Sequence, residues 1–267
     1  MPSKTPAKKK LTPVTLITGA SSGIGAALAG VFAAHGRQLA LTARRQEHLE
    51  DVARAIIAGG GKPPHVLVGD LGAPGGTDKL ARSLTARGLE VANLINNAGF
   101  GLYGPAAKLD PNEQLAMIDL NTRALTDLAL RFAESIGRRR GGILNVASVA
   151  GFLPGQGMAV YYATKAYVIS LTEALSQELG PRVRVCALCP GPVATPFMRR
   201  AKAETAFPRF LYTPIEDVAQ EGYRGFMRGK RIIVPGFFNR AGIVLERFIP
   251  GSMALGGRAA QFSRRLP

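Results

Sequence analysis

A tyrosine and a lysine, Tyr161 and Lys165, stand four residues apart in the stretch Val160–Lys165. In a helix, residues at this spacing share one face, so the phenol and the ammonium group would be neighbours. A free tyrosine has a pKa of about 10, and a nearby cation favours its ionised form. The pair is therefore typical of a phenol that moves a proton at neutral pH. Tyr162 lies three residues before Lys165, so the spacing alone leaves two candidate tyrosines.

Two further polar residues could serve the same chemistry. Ser148 follows a predicted strand, where its hydroxyl could hydrogen-bond a substrate oxygen and stabilise developing charge. The alternative is a simple hydroxyl at a strand end. Asn121 lies inside an otherwise apolar helix, where asparagine is disfavoured. Its side chain is therefore either at the surface or functional.

The elements that must position these residues alternate short apolar runs with helical segments. Strands are predicted at Val14–Thr18, Gln38–Thr42, His65–Val68, Asn93–Asn96, Gly142–Ala147, Val183–Cys189 and Arg231–Val234, and helices at about Ile24–His35, His48–Ala58, Asp78–Arg87, Glu113–Arg138 and Met158–Leu179. Apolar strands that alternate with helices indicate one α/β domain, a Rossmann-type doubly wound sheet of about seven parallel strands with helices on both faces. Residues that follow the strand ends should converge on one cleft.

A glycine-rich turn, Thr18–Gly25, follows the first strand and opens a helix. Glycines let the backbone approach a pyrophosphate, and the helix N-terminus offers free N–H groups and a partial positive charge. The setting predicts a dinucleotide site, although a plain tight turn is the alternative. The cofactor-binding residues predicted here are Gly19, Ser21, Ser22, Gly23, Ile24 and Gly25.

Two arginines, Arg44 and Arg45, follow the second strand, where an NAD site usually has an acid. Guanidinium groups pair well with a 2′-phosphate, so NADP(H) is predicted rather than NAD. The alternative is a pair of solvent-facing arginines. After the next two strands, Asp70 and Leu71 could border the adenine. Asn97, Ala98 and Gly99 offer small residues beside the cofactor, unless Asn96 and Asn97 merely cap a turn.

Taken jointly, these motifs resemble the classical short-chain dehydrogenase/reductase family, from about Val14 to Phe197. The match comprises the glycine turn, Asn96–Gly99, Asn121, Ser148, Tyr161 with Lys165, and Pro190-Gly191 followed by Val193 and Thr195. The family pattern selects Tyr161 over Tyr162. The resemblance implies a fold and a reaction, and it also implies a role for each matching residue.

By this resemblance Tyr161 is the general acid and base, and Lys165 holds the nicotinamide ribose and lowers the pKa of the tyrosine. Ser148 orients the substrate, and Asn121 holds a water molecule in a proton relay. The family's residues after the sixth strand contact the cofactor, and Val193 and Thr195 would reach the nicotinamide carboxamide; the cofactor-binding residues expected here are Pro190, Gly191, Val193 and Thr195.

The expected activity is NADP(H)-dependent interconversion of a carbonyl and an alcohol. The segment Pro196–Thr213 corresponds to the family's substrate cover and is rich in apolar residues, namely Phe197, Met198, Phe207, Phe210, Leu211 and Tyr212. It favours a lipophilic substrate, such as a ketone, a steroid-like carbonyl or a 3-oxoacyl group, unless these residues only pack the cover down. A catalytically silent dinucleotide-binding regulatory protein is the alternative function, and the intact Ser148, Tyr161 and Lys165 argue against it.

The net charge of +16 is concentrated near the ends. Residues 1–10 hold four lysines and no acid, and nine Lys/Arg but one acid lie between Gly222 and Pro267. We expect a disordered basic tail at 1–12, the catalytic domain at 13–236, and a basic amphipathic extension at 237–267. The extension could cover the substrate mouth, a partner subunit or a membrane surface, and packing on protein is favoured. Without a docking motif, nucleic-acid binding is not expected.

The remaining composition favours an ordinary cytoplasmic enzyme. No run of 18 apolar residues is present, so no membrane-spanning helix is expected. Cys186 and Cys189 fall in an apolar strand, where residues three apart face opposite sides, so structural burial is predicted over a redox or metal pair. The three histidines show no metal-binding spacing, and no metal site is predicted. By resemblance, a homodimer or homotetramer should form through the long helices.

Overall fold

Seven parallel strands form a single sheet in the computed structural model, which describes residues 11–201, 203, 208 and 211–246. The strands are β1 (Thr12–Thr18), β2 (Leu39–Ala43), β3 (His65–Val68), β4 (Leu89–Asn96), β5 (Gly142–Val146), β6 (Arg184–Leu188) and β7 (Ile232–Ile233). Their order is β3-β2-β1-β4-β5-β6-β7, and every adjacent pair is parallel. The predicted Rossmann-type doubly wound sheet is confirmed. The chain crosses from β3 over β1 to β4, so a crevice opens beyond the carboxyl ends of β1 and β4.

Helices cover both faces of this sheet. They are α1 (Gly23–Ala34), α2 (Gln46–Ala58), α3 (Gly76–Ala86), α4 (Pro111–Ile118), α5 (Leu125–Arg138), α6 (Ala159–Glu178), α7 (Pro196–Arg200), α8 (Ile215–Met227) and α9 (Phe237–Glu246). One apolar core joins the sheet to α1, α2 and α8, and a second joins it to α3, α5 and α6. The sequence patterns did not predict α7 or α8.

The continuous apolar run of β1 shows why the sheet is buried on both sides. Leu16 and Ile17 are adjacent and fully buried, yet they belong to the two different cores. Successive strand residues point to opposite faces, so a strand between two helix layers needs apolar residues at every position. This pattern fixes the depth of β1 and hence the position of the turn that follows it.

The long helix predicted at Glu113–Arg138 is interrupted. It begins at Pro111, where the Asp110 carboxylate accepts a hydrogen bond from the Asn112 N–H at 2.8 Å and caps the helix. Between α4 and α5 the chain forms a π-helical turn, Asp119–Ala124. Such turns are rare and often occur at functional sites, and this one contains Asn121.

The two cysteines lie in the sheet layer, as predicted. Cys186 and Cys189 are free thiols without exposed surface, and they belong to different apolar clusters. Burial raises the pKa of each thiol to about 12, so both stay protonated. Within the described ranges, no helix is both long and apolar enough to cross a membrane.

Three groups of residues from the sequence analysis fall outside the described chain or at its edge. The basic tail is described only from Leu11, and β1 already begins at Thr12, one residue before the expected domain boundary. Phe207 and Phe210 of the substrate cover lie outside the described residues, as do residues 247–267 of the extension.

Candidate active site

A cavity of about 460 Å³ opens at the carboxyl ends of the strands. It brings together nearly every residue that the sequence predicted for the site. Its lining includes Gly19, Ser21, Ser22, Gly23, Ile24, Arg44, Arg45, Asp70, Leu71, Asn97, Ala98, Gly99, Ser148, Tyr161, Lys165, Pro190, Gly191, Val193 and Thr195. Gly25 and Asn121 are not in the lining. Gly25 packs against the Gly19 carbonyl, and Asn121 hydrogen-bonds to the Phe100 backbone.

The glycine turn between β1 and α1 is held by close backbone contacts. Gly19 has φ +64°, a left-handed conformation, and a Cβ there would approach the Ala98 Cα to 2.8 Å. A Cβ on Gly25 would overlap the Gly19 carbonyl oxygen and the Asn97 amide. These contacts leave the turn as bare backbone facing the cleft, at the N-terminus of α1, which is the arrangement that binds phosphate groups.

Asn97 fastens this turn to the end of β4. Its Nδ2 donates to the carbonyl oxygens of Thr18 and Gly19 at 2.9 and 3.2 Å. The Thr18 Oγ1 in turn accepts from the N–H groups of Asn97 and Ala98 at 3.0 and 2.9 Å. Asn97 therefore stabilises the turn and also lines the cavity, so both alternatives raised from the sequence apply to it.

The two arginines after β2 differ in their contacts. Arg45 donates to the hydroxyls of Ser21 and Ser22 at 3.3 and 3.0 Å, so it lies over the glycine turn. Arg44 is 3.8 Å from an Asp70 carboxylate oxygen, and both side chains are about half exposed. An exposed pair at this distance contributes little stability, so the Arg44 guanidinium can exchange this partner for a stronger anion.

Tyr161 faces the cleft from the first turn of α6. It is buried, and the nearby Ser148 side chain acts to lower the pKa of its phenol. The Ser148 hydroxyl begins a short 3-10 turn, accepts from the Ala150 N–H at 3.1 Å and donates to the Pro190 carbonyl at 3.4 Å. Tyr162 instead packs against Gly155, where a Cβ would overlap its ring. The two rings therefore lie in different surroundings.

The electrostatics of the tyrosine–lysine pair differ from the expectation. Burial raises the pKa of Tyr161 above its ordinary value, and the nearby Ser148 side chain offsets only part of this rise. Lys165 lies 5.8 Å from the Tyr161 ring centre, and its Nζ donates to the Val146 carbonyl at 2.7 Å. Burial lowers the pKa of Lys165 to about 8. Desolvation thus outweighs the attraction expected between phenolate and ammonium, and among the protein's own groups it keeps the phenol protonated.

Asn121 holds the loop after β4 from behind the cleft. It is 1% exposed, its Oδ1 accepts from the Phe100 N–H at 3.1 Å, and its Nδ2 donates to the Phe100 carbonyl at 2.9 Å. A further bond from Nδ2 reaches the Thr164 hydroxyl at 3.2 Å. The sequence placed Asn121 either at the surface or in a functional role. The surface alternative is wrong, because the side chain is buried and holds the Phe100 backbone in place.

An apolar wall packs against Tyr161. The Phe197 ring centre lies 5.4 Å from that of Tyr161, and Met198 is buried in the same cluster. The sequence analysis did not single out Phe100, Met158 or Arg200, which also line the cavity. Phe100 directly follows Asn96–Gly99, and that position was the available signal for it.

In the described part of the C-terminal extension, Asn239 reaches the site. Asn239 in α9 is buried, and a Cβ on Gly191 would overlap its amide group. Its Nδ2 donates to the Thr213 hydroxyl at 3.0 Å and to the Pro235 carbonyl at 3.1 Å. The beginning of the extension therefore packs on the loop after β6, as favoured from the sequence, while Phe237 and Phe238 are exposed.

Known proteins are similar to this chain in sequence and fold. A short-chain dehydrogenase from Sphingobium yanoikuyae, solved in complex with NADPH, is 32% identical, with a TM-score of 0.78 and 96% of each chain covered. A bulky-bulky ketone specific alcohol dehydrogenase from Comamonas testosteroni is 28% identical, with a TM-score of 0.74 over 97% of this chain and 96% of that one. A sulfoacetaldehyde reductase from Chromohalobacter salexigens is 34% identical over 79% of this chain and 87% of its own.

The family comparison covers the whole cleft. Residues 13–206 match the short chain dehydrogenase family, from β1 through the glycine turn, Ser148 and Tyr161 to the helix α7. The fold, the strand-end cleft and this match agree with one another. The chain therefore belongs to the short-chain dehydrogenase family of oxidoreductases, which act on alcohol and carbonyl groups with NAD(P).

Proposed function

We propose that this chain is an NADP(H)-dependent oxidoreductase that interconverts a lipophilic carbonyl and its alcohol, with Tyr161 as general acid and base. The observation that carries the proposal is that the buried Tyr161 and Ser148 line the same cleft as the glycine turn and Lys165. The Tyr161 phenol can donate a proton to a substrate oxygen, and the Ser148 hydroxyl can hydrogen-bond the same oxygen.

The residues of the cleft fit a dinucleotide. Gly19 and Gly25 leave only backbone at the N-terminus of α1, where side chains would collide with neighbouring backbone or with Asn97. Arg44 and Arg45 provide cations at the rim, which suits a 2′-phosphate. A bound nicotinamide dinucleotide would supply or accept the hydride. In this proposal Lys165 binds the nicotinamide ribose, and the residues after β6 bind the carboxamide, namely Pro190, Gly191, Val193 and Thr195.

The protein's own groups move the proton. Since burial raises the pKa of Tyr161, the phenol is protonated at neutral pH and can donate to a carbonyl oxygen. The Ser148 hydroxyl orients that oxygen and stabilises the charge that develops on it. Asn121 keeps the Phe100 backbone and the adjoining wall in place. The protonated phenol is the form that donates a proton when a carbonyl is reduced.

The wall beside Tyr161 supports a lipophilic substrate. Phe100, Met158, Phe197 and Met198 line the cavity and form one apolar cluster around the phenol. The similar proteins act, by their names, on a bulky ketone in one case and on a small anionic aldehyde in another. The apolar lining favours the first of these two substrate types.

The test compares two tyrosine variants. Wild type, Tyr161→Phe and Tyr162→Phe would each be assayed for NADPH oxidation with aryl ketones, a steroid ketone, a 3-oxoacyl thioester and sulfoacetaldehyde. Loss of the general acid should lower kcat by about 10²–10⁴-fold in Tyr161→Phe, while Tyr162→Phe stays within about threefold. NADPH binding, followed by calorimetry, should persist in both variants. Equal turnover by wild type and Tyr161→Phe would refute the assignment of the proton donor. Binding without turnover of any carbonyl by wild type would favour a regulatory role.

Cofactor preference is tested separately at the arginines. Arg44→Gln should weaken NADPH binding about tenfold or more and leave NADH binding nearly unchanged, because only NADPH carries the phosphate that a guanidinium fork binds. An equal effect on both dinucleotides would refute the proposed role of Arg44.

We also propose that this chain, which acts on a small molecule, forms a homo-oligomer through α4, α5 and α6. Large apolar side chains are exposed on these helices, namely Leu115 and Ile118 on α4, Leu130 on α5 and Tyr167 on α6. Their exposed fractions of 39% to 58% are unusual for apolar residues on neighbouring helices. Light scattering should show a dimer or tetramer, and Leu130→Lys should shift it towards the monomer. A monomeric wild type would refute the assembly.

A further inference from the structure

The substrate cover, Pro196–Thr213, returns at its end to the loop in which it begins. The Thr213 N–H donates to the Pro192 carbonyl at 3.0 Å, and Pro192 belongs to the loop after β6 that lines the cleft. Thr213 is buried at this junction. The two ends of the cover are therefore joined beside the residues that we propose bind the nicotinamide carboxamide.

The side chain of Asn239, in α9, is buried at this junction. Its Nδ2 donates to the Thr213 hydroxyl at 3.0 Å and to the Pro235 carbonyl at 3.1 Å. The same amide packs against Gly191, where an added Cβ would overlap it. One side chain of the C-terminal extension thus contacts both the loop after β6 and the end of the substrate cover.

The beginning of α9 is fixed to the rest of the domain by further contacts. Gly236, directly before α9, has φ +84°, and a Cβ there would approach the Thr213 Oγ1 to 2.8 Å. Its N–H donates to a Glu221 carboxylate oxygen at 3.4 Å, and Arg240 lies 3.8 Å from the other oxygen of that carboxylate. The helix α9 also lies beside the 3-10 turn that begins at Ser148. Asn239 is therefore held by parts of the domain that do not belong to the cover.

We propose that Asn239 is a positioning residue, which holds the loop after β6 against the end of the substrate cover and thereby raises the affinity for the nicotinamide end of the cofactor. The proposal rests on the NADP(H) function proposed above, which places the carboxamide at this loop. A loop that is already fixed loses less conformational freedom when its ligand binds. Asn239 lies outside residues 13–206, which match the family, so the extension contributes to the site from beyond that match.

The test compares two ligands that differ at the nicotinamide end. NADPH would reach the loop after β6, whereas adenosine 2′,5′-bisphosphate lacks the nicotinamide and its ribose. Calorimetry would give the affinities of wild type, Asn239→Ala and Thr213→Val for each ligand. Loss of the bonds from Asn239 should weaken NADPH about five- to tenfold in Asn239→Ala, and less in Thr213→Val, which keeps the shape of the side chain. The affinity for the bisphosphate should change less than about twofold, since distant sites act independently.

Asn93→Ala is the matched control. Asn93 is likewise a buried amide that donates to a threonine hydroxyl, that of Thr15 at 3.2 Å, but it lies within β4 and does not line the cleft. Its loss should lower the Tm and leave the affinity for NADPH unchanged. The double variant Asn239→Ala/Thr213→Val should bind NADPH as Asn239→Ala does, because both changes remove the same hydrogen bond. Circular dichroism would establish that every variant is folded at the temperature of the measurement.

Unchanged NADPH affinity in Asn239→Ala would overturn the inference. An equal loss for both ligands, or the same loss in Asn93→Ala, would also overturn it, because either result would show a general effect of lower stability. If wild type does not bind NADPH, the proposed cofactor function itself fails. If wild type binds NADPH and Asn239→Ala binds it equally well, only the role of Asn239 is removed, so the two failures are distinguishable.

Discussion

Replacing Gly25 by alanine would place a methyl group where the structure has no room. The new Cβ would overlap the Gly19 carbonyl oxygen and the Asn97 Nδ2, which donates to Thr18 and Gly19. Overpacking a rigid contact costs about 1–3 kcal/mol, and each displaced hydrogen bond costs about 1 kcal/mol. Alanine recovers about 1 kcal/mol of helix propensity. We therefore expect a net loss of about 3 kcal/mol in the free energy of unfolding.

The same helix offers a matched control. Gly30 is also within α1, but it is exposed and a Cβ there meets nothing within 4 Å. Gly30→Ala should therefore stabilise the protein by about 0.5–1 kcal/mol. The two variants make the same chemical change in one helix, so their difference isolates the contact with the turn.

Urea and thermal denaturation followed by circular dichroism would measure both variants. For a chain of this size, about 3 kcal/mol corresponds to a fall of about 6–12 °C in Tm. NADPH affinity should also fall about tenfold in Gly25→Ala, because the displaced Gly19 no longer presents its backbone correctly. Equal stability of Gly25→Ala and Gly30→Ala, with unchanged NADPH binding, would refute the reasoning about close packing at the turn.

Three further predictions concern buried polar groups. Burial lowers the pKa of Lys165 from 10.5 to about 8, so its ammonium destabilises the folded protein below pH 8 and this penalty disappears as the pH rises towards 10.5. Relative to wild type, Lys165→Met should lose about 3 kcal/mol of unfolding free energy between pH 7 and 10.5, as measured by urea denaturation; a constant difference would contradict the shift. Asn121→Ala leaves the Phe100 N–H and carbonyl without their hydrogen-bond partner. It should lower the free energy of unfolding by about 2–4 kcal/mol, and an unchanged Tm would contradict this. Cys186 and Cys189 should resist a thiol reagent at pH 8 until urea is added, whereas fast labelling of the native protein would show that they are accessible.

The strands and the glycine turn were readable because they depend on local patterns. The apolar run of β1 and the glycines after it constrain their own backbone, whatever the rest of the chain does. The predicted helix at Glu113–Arg138 was less accurate. Its π-helical turn contains Asn121, which bonds to Phe100 in another loop, and the periodicity within the helix does not predict that contact.

The substrate side was predicted least well. The short helix α7 is defined by Pro196 at its start and by Met198 packing into the cluster around Tyr161. A helix of five residues is too short to show a period. Two contacts join segments far apart in the chain, so no sequence spacing predicts them. They are the contact of Arg200 with Phe100 and that of Asn239 with Gly191.

The tyrosine–lysine pair shows which conclusions follow from the sequence and which require the tertiary structure. Residue types and spacing alone determined the family, the single parallel sheet and the placement of Ser148, Tyr161 and Lys165 in one cleft, because helix faces and strand ends follow from local chain geometry. Tertiary structure alone decided which way the pKa values of Tyr161 and Lys165 move. The physical reason is that desolvation sums over every atom packed around a group, and that packing brings together residues from all parts of the chain.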